Sequence, residues 1–294
     1  MNLHMLLIEP FVEFGFMRRA LVACLALAIG CGPVGTLLVI RRMSLVGDAM
    51  AHALLPGAAI GFVLGGFSLA AMSVGAFVGG LLVALLAGFV TRVTSQREDA
   101  SFAAFYLIAL AAGVMIVSLR GSSVDLYHLL FGTILAVDDA ALILIAMVAS
   151  LTVLVLALIY RPLILECFDP AFLRDSSGHG ALYHLLFLGL VVVNLVAGFQ
   201  ALGTLMAVGL MMLPATAARF WATEIWSLAL LASLIALLCG LGGLLISFHG
   251  NLPSGPAIVS LAGVVFLVSL VVGPREGLVA RWYQTRRTHS LSTR

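Results

Sequence analysis

The sequence predicts an all-α membrane protein, a polytopic bundle of about eight or nine transmembrane helices. Three observations carry that expectation. Of 294 residues, 63% are hydrophobic and only 10% are charged, where soluble domains carry about 25% charged residues. The mean hydropathy is +1.19. Apolar stretches of about 20 residues, enough to cross a hydrocarbon layer about 30 Å thick, recur from one end of the chain to the other. A single transmembrane domain over 1–294 is therefore expected, multi-pass in the cell (inner) membrane, with lipid as its solvent.

Residues 1–19 carry Glu9 and Glu13 and no basic n-region, so they read as an amphipathic lead-in rather than a cleavable signal. Apolar spans follow at 20–40, 45–67, 68–90, 102–118, 139–160, 181–203, 204–222, 226–248 and 256–273. The pairs 45–90 and 181–222 lack clear polar breaks, so those boundaries rest on length alone. Residues 161–180 form the longest internal polar loop and 274–294 a polar tail. Arginine placement orients the bundle, because basic residues accumulate on the cytoplasmic side. Arg275, Arg281, Arg286, Arg287 and Arg294 put the tail inside, and counting backwards puts Arg219, Arg161, Arg174, Arg92, Arg97 and Arg41-Arg42 on the same side. The stretch HGNLPSGP at 249–256, which has no basic residue, falls outside. Arg18-Arg19 dissent: either one span is miscounted or they sit at the outer headgroups.

Composition excludes several functions. All fifteen basic residues are arginine. Without lysine there is no Walker A motif to grip nucleotide phosphates and no amine for a Schiff base. A net charge of +2, dispersed over the chain, does not make a nucleic-acid face. The four cysteines form no CxxC pair, so neither a redox motif nor a thiolate zinc site is indicated. Runs such as GAAIGFVLGG and GAFVGGLLVALLAG let helices approach closely in lipid, which predicts tight packing and nothing about cargo.

Acidic residues lie nearly all in loops, and Asp48 is the exception. It sits in LVGDAMAHALLPGAAIGF, where an unpaired carboxylate costs about 2.5–3.5 kcal/mol on insertion scales. His52 lies four residues on, which places both side chains on one helix face, about 6 Å apart along the axis. Pro56 cannot donate to the carbonyl of His52 and so frees that oxygen, and with Gly57 it predicts a kink or hinge. Broken helices at membrane depth form ion sites from side chains plus freed carbonyls. Oxygen and nitrogen ligands of this kind suit zinc, manganese or iron. The alternative is that Asp48 and His52 only pair with each other, or that Asp48 is solvated near the cytoplasmic interface.

RRMSLVGDAMAHALLPGAAIGF at 41–62 resembles the signature of the metal-ion permeases of ATP-binding-cassette importers, the family that carries zinc, manganese or iron. DLYHLLFGTILAVDD at 125–139, FDPAFLRDSSG at 168–178 and FQALGTLMAVGLMMLPATAARFWA at 199–222 agree, and the likeness runs in order from FMRRAL at 16–21 to LPSGPAI at 252–258. It implies a homodimeric membrane subunit, not itself an enzyme, served by a separate ATP-binding subunit and an extracytoplasmic metal-binding protein. It also implies that the DPAFLR segment is the coupling helix that docks on the ATPase, through Asp169, Pro170, Phe172, Leu173 and Arg174. Read from the residues alone, that segment is a short helix with Asp169 as N-cap and Pro170 at its first position, or else an ordinary solvated connector.

The leading expectation is therefore a divalent-metal importer permease working by alternating access, with Asp48 and His52 as transient metal ligands, no permanently bound cofactor, and zinc ahead of manganese or iron. Pro214 frees the carbonyl of Leu210 and is a second candidate hinge. Asp125 with His128, and His249, are weaker candidate ligands near the outer face, while His179 and His184 are expected to face solvent or the interface. Met206, Met211 and Met212 are expected in the core rather than at a soft copper site. Asn194 and Gln200 are expected to hydrogen-bond between helices. The competing classes are an ion-coupled secondary carrier, which would favour inverted repeats, and an intramembrane enzyme, for which no HExxH or GxSxG motif is present.

Overall fold

The computed structural model describes residues 8–66, 68–119, 137–168 and 180–282. These form ten helices: α1 (Glu9–Glu13), α2 (Gly15–Ile40), α3 (Ser44–Gly65), α4 (Leu69–Val93), α5 (Glu98–Leu119), α6 (Asp139–Phe168), α7 (Gly180–Leu202), α8 (Thr204–Ala218), α9 (Ile225–Gly250) and α10 (Ser254–Val272). No strand occurs among the described residues. Eight helices are long and apolar enough to cross a membrane, and α8 is a shorter apolar helix beside them.

The predicted ninth span at 204–222 is thus corrected. At 15 residues α8 is about 22 Å long, too short to cross about 30 Å of hydrocarbon. It starts at a tight turn on Gly203, whose φ of 81° suits a residue without a side chain. It ends where the Trp221 indole N–H donates to the Ser269 hydroxyl at 3.0 Å, and the chain turns back toward α9.

Helix α2 is the axis of the bundle, with 78% of its apolar window buried, against 17% for α5 on the periphery. It packs along α6, α8 and α9, and α3 packs along α4 and α5. The α3–α4 seam is built from small residues. A Cβ on Gly57 would strike the carbonyl of Gly75, one on Gly75 would strike the carbonyl of Gly57, and one on Gly79 would come within 2.9 Å of the Gly57 Cα. In lipid, where no hydrophobic force drives helices together, such backbone proximity supplies the dispersion contact that holds them.

Opposite ends of the bundle carry different partners. At one end Arg19 at the start of α2 lies 3.7 Å from Asp139 at the start of α6, and the Phe14 and Phe248 rings meet at 5.4 Å, tilted by 52°. At the other end Arg41, just after α2, meets Glu166 near the end of α6. The 26 residues of α2, about 39 Å, separate the two ends. Arg18-Arg19 therefore sit at the end of α2 opposite Arg41.

Two further boundaries move. The expected loop at 161–180 begins later, because α6 continues through Pro162 to Phe168. The expected lead-in at 1–19 overlaps α2, which starts at Gly15 after the five-residue α1. Of the candidate coupling residues, Asp169, Pro170, Phe172, Leu173 and Arg174 lie outside the described residues, as do Asp125, His128 and His179.

Candidate metal pathway site

Helix α3 begins immediately after a tight turn. The amide of Arg42 donates to the carbonyl of Val39 at 3.1 Å and that of Met43 to Leu38 at 2.9 Å, with Arg42 at φ 59°. This is the paired closure of a helix C-terminus with a left-handed residue, a position where glycine is more usual. Two residues later α3 starts at Ser44, so the entry to α3 is rigidly joined to the end of α2.

Asp48 and His52 project from the second and third turns of α3 on one face, as their spacing predicts. The Asp48 carboxylate and the His52 Nε2 are 3.8 Å apart, longer than the 2.7–3.2 Å of a formed hydrogen bond. The other imidazole nitrogen, Nδ1, is buried and has no partner. Asp48 is 62% exposed at its side chain and His52 33%. This chain therefore leaves a largely exposed carboxylate beside an imidazole whose Nδ1 is buried without a partner. The Tyr106 ring of α5 lies 6.0 Å from the imidazole and backs it.

The rest of α3 is fixed around this pair. Helical structure runs unbroken through Pro56, and a Cβ on Gly113 of α5 would come within 2.9 Å of the Pro56 Cα, so α5 presses directly on the proline. Gly57 is equally close to α4. On the other side, a Cβ on Gly47 would meet the Met211 Cε at 3.2 Å and the Met212 sulfur at 3.4 Å. Met206 and Met211 are fully buried in the core, as expected, and Met212 packs against it. Pro214 lies within α8, where the Thr216 hydroxyl donates to the carbonyls of Met212 and Leu213.

Asn194 behaves as expected: buried on α7, its amide donates to the Thr152 hydroxyl of α6 at 2.7 Å and to the Leu190 carbonyl at 2.8 Å. His249 ends α9, edge-on to Phe248 at 5.3 Å. No group of three or more His, Cys, Asp and Glu that could hold a metal occurs among the described residues. Asp48 and His52 are two side chains, fewer than such a group needs.

One polar cluster was invisible in the linear sequence. The Arg41 guanidinium donates to Glu166 Oε2 at 3.0 Å, to the Cys167 sulfur at 3.1 Å and to His184 Nδ1 at 3.1 Å, and lies 4.5 Å above the Phe187 ring. His184 Nε2 in turn lies 3.0 Å from Glu98. The imidazole thus lies between two carboxylates, with Nδ1 also 3.5 Å from Glu166 Oε1. Of the two placements expected for His184, solvent or interface, the solvent-facing one is corrected: its side chain is 16% exposed, held among α2, α5, α6 and α7. The partners lie 125 and 143 residues apart, a separation no local motif reveals.

Comparison with known proteins places this architecture. The model of the ABC 3 transport family matches residues 13–273. The manganese import system permease protein ScaB of Streptococcus parasanguinis is 34% identical over 286 residues, covering 97% of this chain and 98% of the relative. The chelated iron transport system membrane protein YfeC of Yersinia pestis is 30% identical over 281 residues, covering 96% and 94%. Among solved structures, PsaBC from Streptococcus pneumoniae in complex with Fab superimposes with a TM-score of 0.81 at 30% identity, covering 92% of this chain and 96% of that one. With eight apolar helices, no lysine for a nucleotide loop, and a family match over nearly its whole length, the chain belongs to the ABC 3 transport family: it is a multi-pass permease subunit of a metal-ion ATP-binding-cassette importer, with ATP hydrolysis on a separate chain.

Proposed function

We propose that this permease carries manganese, with iron as the second candidate, and that Asp48 and His52 are its transient ligands on the pathway. The observation that carries the site is the unsaturated pair on α3, 3.8 Å apart with a buried orphan nitrogen. The names of the relatives support manganese first and iron next; the expectation of zinc ahead of both finds no support among them. Carboxylate and imidazole accept all three ions.

An outward-facing carboxylate on a membrane helix is costly unless something covers it. Two side chains also leave most of a divalent ion's coordination to water or to other groups. Both points favour a homodimer in which the α3 faces of two copies meet around the pathway. The metal would arrive from an extracytoplasmic binding protein, pass Asp48 and His52, and leave when ATP hydrolysis reopens the cytoplasmic side. Segment 168–178, with Asp169, Pro170, Phe172, Leu173 and Arg174, is proposed as the ATPase docking element, and Pro56 with Gly57, and Pro214, as the hinges. A pathway site must bind weakly enough to release, and few protein ligands serve that end.

The test is uptake by Asp48→Asn, His52→Gln and the double variant, with thermal stability in detergent measured alongside. Stability should hold or rise, since Asp48→Asn removes a charge at no cost in size, while manganese uptake falls by about tenfold or more, the loss expected for weakening a ligand by about 1.4 kcal/mol. Wild-type transport by the double variant would exclude both residues as ligands.

A further inference from the structure

We propose that Arg41 is a positioning residue for transport: its ion pair with Glu166 ties the last turn of α6 to the turn that leads into α3 and its ligands Asp48 and His52. The inference rests on the proposed pathway and docking segment, because it concerns how movement of one reaches the other.

The chain of contacts is short and stiff at each step. Glu166 and Cys167 stand at the end of α6, from which the chain leaves for 169–179. Both bind Arg41, through Glu166 Oε2 at 3.0 Å and the Cys167 sulfur at 3.1 Å. Arg41 is the C-cap of α2, and the two hydrogen bonds that close that helix also fix Arg42 and Met43, the residues before α3. Asp48 follows one turn into α3. A displacement of the α6 terminus therefore reaches Asp48 without crossing any flexible loop.

The cluster is also built to hold one geometry. At its side chain Arg41 is 7% exposed and Glu166 10%, so neither charge can exchange its partner for water. The guanidinium fork uses separate N–H groups on Glu166, His184 and Cys167, an arrangement a lysine ammonium, a compact charge on a flexible stem, cannot reproduce. His184 then joins the start of α7 to Glu98 at the start of α5. Four helix ends thus meet at one residue, on the side where the arginines place the cytoplasm.

The importer, co-purified with its ATP-binding subunit and reconstituted in vesicles with its manganese-loaded binding protein, distinguishes a coupling role from a brace. Arg41→Lys keeps the charge and Glu166→Gln keeps the acceptor. Both are expected to retain assembly and ATP hydrolysis, while manganese moved per ATP hydrolysed falls by about fivefold or more, the lower range of measured site-to-site coupling. A fall of uptake in strict proportion to hydrolysis, or to folded protein, would overturn the proposal. On the wild-type complex, hydrogen exchange at 41–47 and 163–168 is expected to change together when a non-hydrolysable ATP analogue binds, and a change in one alone would overturn it as well. The underlying reading fails separately: if Phe172→Glu and Leu173→Glu still co-purify with the ATPase, the docking segment is elsewhere, whatever Arg41→Lys does.

Discussion

Two polar sites seven residues apart in sequence, Arg41 with its partners and Asp48 with His52, are treated in opposite ways by the fold. Every nitrogen of Arg41 has a near partner at 3.0–3.1 Å and the side chain is almost fully buried. Asp48 and His52 stand 3.8 Å apart, with the carboxylate exposed and one imidazole nitrogen buried without a partner. A buried polar group left unpaired costs free energy, so a fold retains one only where something else completes it. Saturated charge holds helices in place. Unsaturated donors and acceptors on a membrane face are what a passing cation or a second subunit would complete. The difference separates a structural cluster from a transport site more sharply than residue type does, since both contain a carboxylate and a histidine.

The largest effect that could break this contrast is on stability. Glu166→Ala leaves the Arg41 charge buried without its main counter-ion and should destabilise by about 3–5 kcal/mol, the range for breaking a buried ion pair from one side. Asp48→Ala should cost little or even stabilise. Thermal unfolding of both variants in detergent measures the difference, and equal losses would show that Asp48 is as saturated as Glu166.

A smaller effect sharpens the role of packing around the site. Gly57→Val places a branched side chain against the Gly75 carbonyl in the α3–α4 seam. It should cost about 1–3 kcal/mol as an overpacked contact. Because the seam holds α3 in register, manganese uptake should fall further than folded protein does, whereas Gly88→Val, where nothing lies within 4 Å of the added carbon, should change neither.

The smallest effect concerns a neutral saturated pair. Removing the Asn194–Thr152 hydrogen bond with Thr152→Val should cost about 0.6 kcal/mol, the mean for such bonds inside membrane bundles, and leave transport intact. A double-mutant cycle with Asn194→Leu isolates that value. A large loss of uptake without loss of stability would move this pair from the structural to the functional side of the comparison.

Much of this architecture is legible in the chain itself, for a physical reason. A bilayer demands about 20 apolar residues per crossing, so most span positions are written locally. The shared face of Asp48 and His52 likewise follows from four residues of helix, and the absence of lysine alone sends ATP hydrolysis to another chain. Other features depend on segments far apart in sequence meeting in space. That α8 stops short of a full crossing depends on the Gly203 turn and the Trp221–Ser269 bond, not on its hydropathy. That α6 continues to Phe168, and that His184 is buried, depend on Arg41 reaching partners 125 and 143 residues away. Hydrophobic length and charge bias act along the chain and are read from it. Saturation of a polar group is a property of its neighbours in space, so only the assembled bundle decides that Arg41 is closed and Asp48 open.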